Sequence, residues 1–243
     1  MRPSSGDGAG ARRWLIVNAD DFGASAGVNT GIIRAHEQGI VTSTSLMVTM
    51  PAAAEAAMRA RVLPDLSLGI HIDLTGEGIP APVDLENRDQ CRREIRSQLE
   101  RFVDLVGGLP THIDSHHNLH RTPHLTALFV ELSAALGLPL REHSAVRYFP
   151  DFYGQWDDGD THPEWIGTTN LIRMLVEEIG PGVTELSCHP GIMDPALESS
   201  YHRERQIELE TLCDPLIRDH VRRSDLTLIG YRDLRGVLSE NRL

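Results

Sequence analysis

The sequence contains no lysine, because all 23 of its basic residues are arginines. This absence excludes enzymes that form a Schiff base on a lysine, pyridoxal-phosphate enzymes with a lysine anchor, and phosphate loops that carry a lysine. Cysteine is scarce as well, and Cys91, Cys188 and Cys213 form no Cys-x-x-Cys pair. Three isolated thiols are typical of core residues in a reducing compartment, so we expect a cytoplasmic protein.

Positive charge is in the minority, with 35 acidic against 23 basic residues and a net charge of −12. Nucleic acids and anionic membranes bind basic surfaces, so neither is an expected partner. The chain has no apolar run of the roughly 18 residues that cross a bilayer. It also lacks the Gly-x-Ser-x-Gly pattern of serine hydrolases and any glycine-rich phosphate loop.

The remaining composition is that of a globular protein, with 40% hydrophobic and 24% charged residues. Residues 1–13 are rich in Gly, Ser and Arg and predict a disordered lead-in, whereas residues 14–243 predict a single domain. Seven segments have the pattern of strands: 14–17, 42–48, 66–74, 111–114, 138–141, 183–188 and 226–229. Helices are predicted at 28–38, 52–61, 88–106, 123–136, 169–179 and 201–212, and residues 146–167 are predicted to be irregular.

Alternating strands and helices predict a mainly parallel sheet with crossover helices. Polar residues such as Asp20, His71 and His189 lie at the carboxyl ends of predicted strands. In a closed barrel these carboxyl ends converge on one face, whereas an open doubly wound sheet would spread them along a crevice, gathering only some at its switch point. We therefore predict an α/β fold, a distorted TIM-like (β/α) barrel of about seven parallel strands.

Histidine is concentrated in residues 112–124, which hold five of the twelve histidines. The alternation of a strand turns His112 and Asp114 to one face, and His116 then lies just beyond the strand end. A histidine-rich surface loop without metal is the alternative interpretation. A helical His-x3-His zinc pair is disfavoured, because a proline and β-branched residues precede it.

Two adjacent carboxylates, Asp20 and Asp21, follow the first strand. Adjacent carboxylates repel each other, so one gains by binding a cation and the other is left as a base. The alternative is an Asp-rich turn that caps the next helix. His71 and His189 end or follow other strands, and each on its own also has a purely structural interpretation.

One aspartate with two histidines is a common ligand set for a divalent metal ion with open coordination positions. Such a site activates water and polarises a carbonyl group. A further aspartate can accept a proton from that water, and a histidine on the other side can protonate a leaving amine. The combination predicts hydrolysis of an amide or an ester.

Several stretches of the chain, in this order, resemble the YdjC-like carbohydrate deacetylase family. The matching stretches are LIVNADDFG (15–23), GIVTSTS (39–45), GIHIDLT (69–75), PTHIDSHH (110–117), CHPG (188–191), SSYHRER (199–205) and IGYRDL (229–234). The resemblance covers roughly residues 14–235, which is nearly the whole chain. The Asp-Asp-Phe-Gly and Ser-His-His stretches are its most specific parts.

The resemblance implies a (β/α) barrel related to polysaccharide deacetylases and the removal of acetyl groups from N-acetylated sugars or oligosaccharides. It implies that Asp21, His71 and His116 bind one divalent ion, Mg²⁺ or Zn²⁺. It further implies that Asp20 is the general base, that His189 is the general acid, and that the protein forms a homodimer. No substrate-binding residue is predicted.

The chain departs from the family pattern at two places. The segment between Thr75 and Arg88 is short, which bears on substrate size, and Asn118 stands where relatives often carry a third histidine.

Two alternative functions stay open. One is a noncatalytic sugar-binding relative, and the other is a different barrel metallohydrolase such as a phosphoesterase, which a two-metal site would indicate.

Overall fold

The computed structural model describes residues 12–76, 83–156 and 159–240, in which strands and helices alternate. The strands are β1 (Arg13–Phe22), β2 (Ser43–Leu46), β3 (Ser67–Ile72), β4 (Ile113–Ser115), β5 (Arg147–Phe149), β6 (Gly182–Cys188) and β7 (Leu226–Leu228). The α-helices are α1 (Ala26–Gln38), α2 (Ala53–Ala60), α3 (Arg88–Val106), α4 (Pro123–Leu136), α5 (Thr168–Glu177), α6 (His202–Leu212), α7 (Pro215–Arg223) and α8 (Leu234–Glu240). Short 3-10 helices span His116–Arg121, Pro163–Ile166 and Tyr231–Asp233. Most of the predicted lead-in, residues 1–11, lies outside the described residues.

The strands form one parallel sheet in the order β4-β3-β2-β1-β6-β5, and β7 pairs with the first three residues of β1. Leu140 adds a single parallel bridge to Ile113 of β4 at one edge. The sheet curls into a half-barrel with the helices outside it, which confirms the predicted distorted (β/α) barrel. Parallel strands in such a sheet bring their carboxyl ends to one face.

The two faces of β1 explain how the interior of the half-barrel is filled. Leu15 and Val17 point outward into the large core beneath the helices. Trp14 and Ile16 point inward and belong to a smaller apolar cluster near the amino ends of the strands. Asn18 continues this inward row and is fully buried. The interior is therefore apolar at one end and polar at the carboxyl end, where a site can form.

Local signals in the sequence set several helix boundaries. The side chains of Ser25 and Asn87 accept hydrogen bonds from backbone N–H groups in the first turns of α1 and α3. Gly107 and Gly137 follow α3 and α4 in the left-handed conformation that glycine adopts without strain. The stop predicted at Gly137 is thus confirmed.

A close backbone contact fixes the loop that follows β6. A Cβ atom on Gly31 of α1 would lie 2.5 Å from the Cα atom of Gly191, and the other nearest atoms also belong to the Gly191 backbone. Only a residue without a side chain lets α1 approach so closely. The contact holds the turn that begins at His189 against α1.

The structure corrects three of the predicted elements. First, β1 extends to Phe22, so the acidic pair lies within a strand and not in a turn after it. Second, the strand predicted at 138–141 is reduced to the bridge at Leu140. Third, the segment 146–167, predicted to be irregular, contains β5 and a 3-10 helix. Helices α7 and α8 had no predicted counterpart.

Among the described residues, no helix combines the length and apolarity needed to cross a membrane.

Candidate metal centre and active site

A cleft of about 710 Å³ opens at the carboxyl ends of β1, β3, β4 and β6. Its lining includes all five residues that the sequence singled out, Asp20, Asp21, His71, His116 and His189. They come from four separate parts of the chain. The half-barrel therefore brings them together as predicted, while their chemical roles stay predictions.

Both carboxylates of the acidic pair face this cleft, although neighbours in a regular strand point to opposite faces. The pairing of β1 with β2 shifts register between Ala19 and Phe22. Asp21 has a φ of 67°, a left-handed conformation that is uncommon for residues other than glycine. Such irregularities redirect side chains and are frequent next to functional sites.

Three ligand atoms form a nearly equilateral triangle in the cleft. The His71 Nε2 atom lies 3.3 Å from Asp21 Oδ1 and 3.3 Å from His116 Nδ1, and the third edge, from His116 Nδ1 to Asp21 Oδ1, is 3.4 Å. Ligands bonded at about 2.1 Å to one metal ion are separated by about 3.0 to 3.4 Å. The three atoms are therefore spaced as ligands of a single ion.

The donor set also fits a cation. The Asp21 Oδ1 atom is buried and makes no hydrogen bond within the described part of the chain. Leaving such an atom without a partner is costly, and a metal ion would satisfy it. The other oxygen of this carboxylate accepts a 2.6 Å hydrogen bond from Arg205, which fixes its orientation.

Asp114 determines which ring nitrogen of His71 is available. Its carboxylate accepts a 2.7 Å hydrogen bond from His71 Nδ1, so the proton lies on Nδ1 and Nε2 faces the triangle. A carboxylate behind a metal-binding histidine is the usual outer partner of such ligands. Burial opposes a charge on His71, yet Asp114 and Asp21 outweigh it and raise its pKa well above the ordinary value. The site therefore attracts positive charge.

Asp20, His71 and Asp114 also place one possible ligand atom each within 4.8 Å of one another. Here the positive charge is already supplied by Arg141, whose Nη2 atom lies 2.8 Å from Asp20 and 3.1 Å from Asp114. This group is a buried salt-bridge cluster. The triangle of Asp21, His71 and His116 is the better cation site.

Arg141 is the centre of that cluster and is only 1% exposed. It donates two 2.8 Å hydrogen bonds to the two oxygens of Asp20 and a 2.6 Å hydrogen bond to Glu185. Burial would raise the pKa of Asp20, but the Arg141 guanidinium outweighs it and holds that pKa below the ordinary value. Asp20 is therefore ionised and held in place.

His189 lies beside Asp20, with its Nε2 atom 3.9 Å from Asp20 Oδ2. Glu208 of α6 accepts a hydrogen bond from the His189 backbone N–H, and Tyr201 donates a 2.6 Å hydrogen bond to the other Glu208 oxygen. Burial lowers the pKa of His189 to about 4 and raises the pKa of Glu208 to about 8. His189 is consequently neutral at neutral pH and is positioned by its backbone.

Sequence reasoning missed four charged residues that position the predicted ones. They are Arg141, Glu185, Arg205 and Glu208. Arg141 ends the strand predicted at 138–141, and Arg205 ends the family-matching stretch 199–205, so both had a usable signal. Glu185 and Glu208 lie outside the quoted stretches. Of the remaining histidines in the His-rich segment, His120 is buried against Glu142 and His124 contacts the Leu85 carbonyl. Part of the short segment after Thr75, residues 77–82, lies outside the described residues.

The sequence profile of YdjC-like proteins matches residues 14–223 of the chain. The chain belongs to the YdjC-like family. A carbohydrate deacetylase of Geobacillus stearothermophilus is 39% identical over 91% of this chain and 98% of its own length. A chitooligosaccharide deacetylase of Serratia marcescens is 34% identical over 91% of this chain and 99% of its own length.

Solved structures share the fold. A crystal structure of an Enterococcus faecalis protein, with a suggested role in cellobiose-phosphate cleavage, has a TM-score of 0.76 and 29% identity over 92% of this chain and 99% of that chain. The family 4 carbohydrate esterase of Streptomyces lividans, solved in complex with acetate, has a TM-score of 0.56 and 15% identity over 90% and 92% of the two chains. The second likeness concerns the fold alone. The YdjC-like chain thus shares its barrel with carbohydrate esterases.

Proposed function

We propose that this YdjC-like protein is a metal-dependent hydrolase that removes acetyl groups from N-acetylated sugars or oligosaccharides. The observation that carries the proposal is the triangle of Asp21, His71 and His116, with edges of 3.3 to 3.4 Å, beside the ionised Asp20. Two relatives that align over nearly the whole chain are named carbohydrate deacetylase and chitooligosaccharide deacetylase, which supports the same substrate class.

Asp21, His71 and His116 would hold one divalent ion. When bound, this ion supplies Lewis acidity, which polarises the acetyl carbonyl and makes water more acidic. Two imidazole nitrogens and one carboxylate oxygen favour a transition-metal ion such as Zn²⁺ over Mg²⁺, which prefers ligand sets made only of oxygen. Arg205 orients the Asp21 carboxylate, and Asp114 orients the His71 ring.

Asp20 is the proposed general base. Its carboxylate lines the same cleft as Asp21, His71 and His116, so it lies beside the candidate metal site. The bidentate contact with Arg141 keeps Asp20 ionised and prevents rotation of the carboxylate. Asp20 accepts the proton of the attacking water, and a positioned base of this kind contributes about 10²- to 10⁴-fold to the rate.

His189 is the proposed general acid. Its ring is neutral before the reaction, since its pKa is about 4, so the proton it donates must be acquired during turnover. Asp20, at 3.9 Å, supplies a short route for the proton removed from water. His189 then passes this proton to the leaving nitrogen. A buried base and a buried acid side by side allow one proton to serve both steps.

The alternative functions find less support. A noncatalytic sugar-binding protein has no need for an ionised aspartate beside a cation site. A two-metal phosphoesterase needs a second set of free ligands. Among the described residues, the second cluster shares His71 with the first and is already neutralised by Arg141. The homodimer stays a prediction.

The proposed function is tested by acetate release from N-acetylglucosamine and its β-1,4-linked oligomers. We expect release with added Zn²⁺ or another divalent ion, and loss of at least about a hundredfold after chelation that is reversed by readdition of the ion. The absence of acetate from every sugar tested, with a fully metal-loaded protein, would reject the proposal. Release that is unaffected by complete removal of the metal would reject its metal dependence.

A further inference from the structure

Tyr231 follows β7 and lies outside the catalytic cleft. It is 3% exposed and belongs to the smaller apolar cluster near the amino ends of the strands, together with Trp14 and Ile16. The described lining of the cleft does not include it. The proposed mechanism therefore gives this side chain no part in binding the metal ion or the substrate. Its hydroxyl group, however, is polar and buried, and such a group needs a hydrogen-bond partner.

The partner of the Tyr231 hydroxyl is Glu185 of β6. The hydroxyl donates a 2.6 Å hydrogen bond to Glu185 Oε2. This length is that of a charge-assisted hydrogen bond to a carboxylate, which is roughly twice as strong as one between neutral groups. Among the described residues, no other group donates to Oε2, since both hydrogen bonds from Arg141 go to Oε1. Tyr231 therefore fixes the oxygen of Glu185 that Arg141 leaves free.

Glu185 transmits this constraint to the proposed general base. Arg141 donates hydrogen bonds of 3.0 Å and 2.6 Å to Glu185 Oε1. The same guanidinium donates a 2.8 Å hydrogen bond to each oxygen of Asp20. Because a guanidinium is planar and rigid, the direction of its contact with Glu185 determines the direction of its contact with Asp20. All three residues are at most 4% exposed, so their contacts are shielded from bulk water.

The position of the Tyr231 hydroxyl is itself fixed. The Tyr231 ring stacks on the His112 ring, with centroids 3.9 Å apart and planes 14° from parallel. The Tyr231 backbone N–H donates a 3.2 Å hydrogen bond to the Ser43 hydroxyl of β2. Burial raises the pKa of Glu185, and the hydrogen bonds from Arg141 and Tyr231 oppose this rise. The hydroxyl thus stays directed at the Glu185 carboxylate and favours its charged form.

These contacts form a line of buried hydrogen bonds from Tyr231 through Glu185 and Arg141 to Asp20. We infer that Tyr231 is a positioning residue of the reaction, which holds the Asp20 carboxylate in its working orientation from outside the cleft. A small displacement of a catalytic group lowers the rate strongly, so the loss of this distant hydroxyl is measurable in turnover. The inference rests on the proposed function, because it assigns Tyr231 to the same reaction.

Phenylalanine in place of Tyr231 tests this role, because it removes the hydroxyl and keeps the ring. In the zinc-loaded protein, kcat for acetate release from β-1,4-linked N-acetylglucosamine oligomers should fall by about tenfold, the size expected for one contact in a coupled network. KM and zinc content should stay within about twofold of the wild type, because Tyr231 lies outside the cleft. A residue that only stabilises the fold would not lower kcat alone.

Leu234→Ala is the matched control for a general loss of packing. Leu234 is 6% exposed and belongs to the same apolar cluster as Tyr231, but shortening it removes no donor to Glu185. Chemical denaturation should show a lower stability for this variant, while its kcat stays at the wild-type value.

A double variant tests whether Tyr231 acts through Glu185. If it does, Tyr231→Phe combined with Glu185→Gln should lose little more kcat than Glu185→Gln alone. Independent effects would instead multiply.

Three kinetic outcomes would each overturn the inference and leave the proposed function standing. They are a wild-type kcat in Tyr231→Phe, an equal loss of kcat in Leu234→Ala, and losses that multiply in the double variant. If the wild type releases no acetate from any sugar, the proposed function fails, and crystal structures test the positioning by itself. The Asp20 carboxylate should then be rotated relative to Arg141 in Tyr231→Phe, and an unchanged orientation would reject the inference.

Discussion

Asparagine in place of Asp20 should lower kcat/KM for acetate release by about 10²- to 10⁴-fold while the protein keeps its fold and its metal content. The amide has nearly the same shape as the carboxylate, but it cannot accept a proton from water. Arg141 keeps Asp114 and Glu185 as partners in this variant, so its buried charge stays compensated. Steady-state kinetics and elemental analysis of the same preparation measure the two effects.

The matched control is Asp219→Asn, the same substitution at a half-exposed position of α7. It should leave both rate and metal content unchanged. If Asp20→Asn retains activity within a few-fold of the wild type, Asp20 is not the base. If the variant loses its metal along with its activity, Asp20 acts on the cation site and the assignment of roles within the acidic pair is wrong.

Methionine in place of Arg141 should lower the free energy of unfolding by about 3 to 5 kcal/mol. Arg141 is 1% exposed and contacts Asp20, Asp114 and Glu185, so its removal leaves buried carboxylates without their cation. Chemical denaturation of the wild type and the variant measures the difference. Activity should fall as well, because Asp20 loses the bidentate contact that orients it.

Arg222→Met provides the control, since Arg222 is 75% exposed and its ion pair with Asp219 has an N–O distance of 3.9 Å. Exposed ion pairs of this kind contribute at most about 1 kcal/mol. Arg141→Lys should cause a loss of unfolding free energy between those of the other two variants. The ammonium group keeps the charge but cannot contact both oxygens of Asp20 as the planar guanidinium does. A loss below about 1 kcal/mol for Arg141→Met would show that the cluster is not stabilised as described.

The candidate metal ligands could be predicted because each follows a run of strand-forming residues. His71 lies in β3, and His116 comes directly after β4. Since parallel strands in a barrel end on one face, the position of a residue just at or after a strand is enough to place it near the others. The same argument predicted the barrel itself.

The partners of the positioning residues could not be predicted in this way, although Arg141 ends a predicted strand. Arg141 is separated by 121 residues from Asp20 and by 44 residues from Glu185, and only the three-dimensional fold brings them together. Arginine side chains are usually exposed to solvent, so nothing in the sequence indicates that this one is buried. Glu208 lies within α6, where one buried acid among other charged residues has no distinguishing pattern.

The backbone of the acidic pair also escaped prediction. A regular strand would direct Asp20 and Asp21 to opposite faces, and a turn after the strand would leave both in solvent. The shift of register in β1 and the left-handed φ of Asp21 direct both carboxylates into the cleft. Tertiary contacts maintain this strained conformation, which no local pattern in the sequence encodes.

The central claim is that Asp21, His71 and His116 bind one divalent ion, and metal stoichiometry tests it most directly. After loading with Zn²⁺ and dialysis, the wild type should retain about one equivalent by elemental analysis, whereas His116→Ala should retain almost none. His124→Ala, a control from the same histidine-rich segment, removes a side chain outside the triangle and should keep the full equivalent. An undiminished zinc content in His116→Ala would contradict the account.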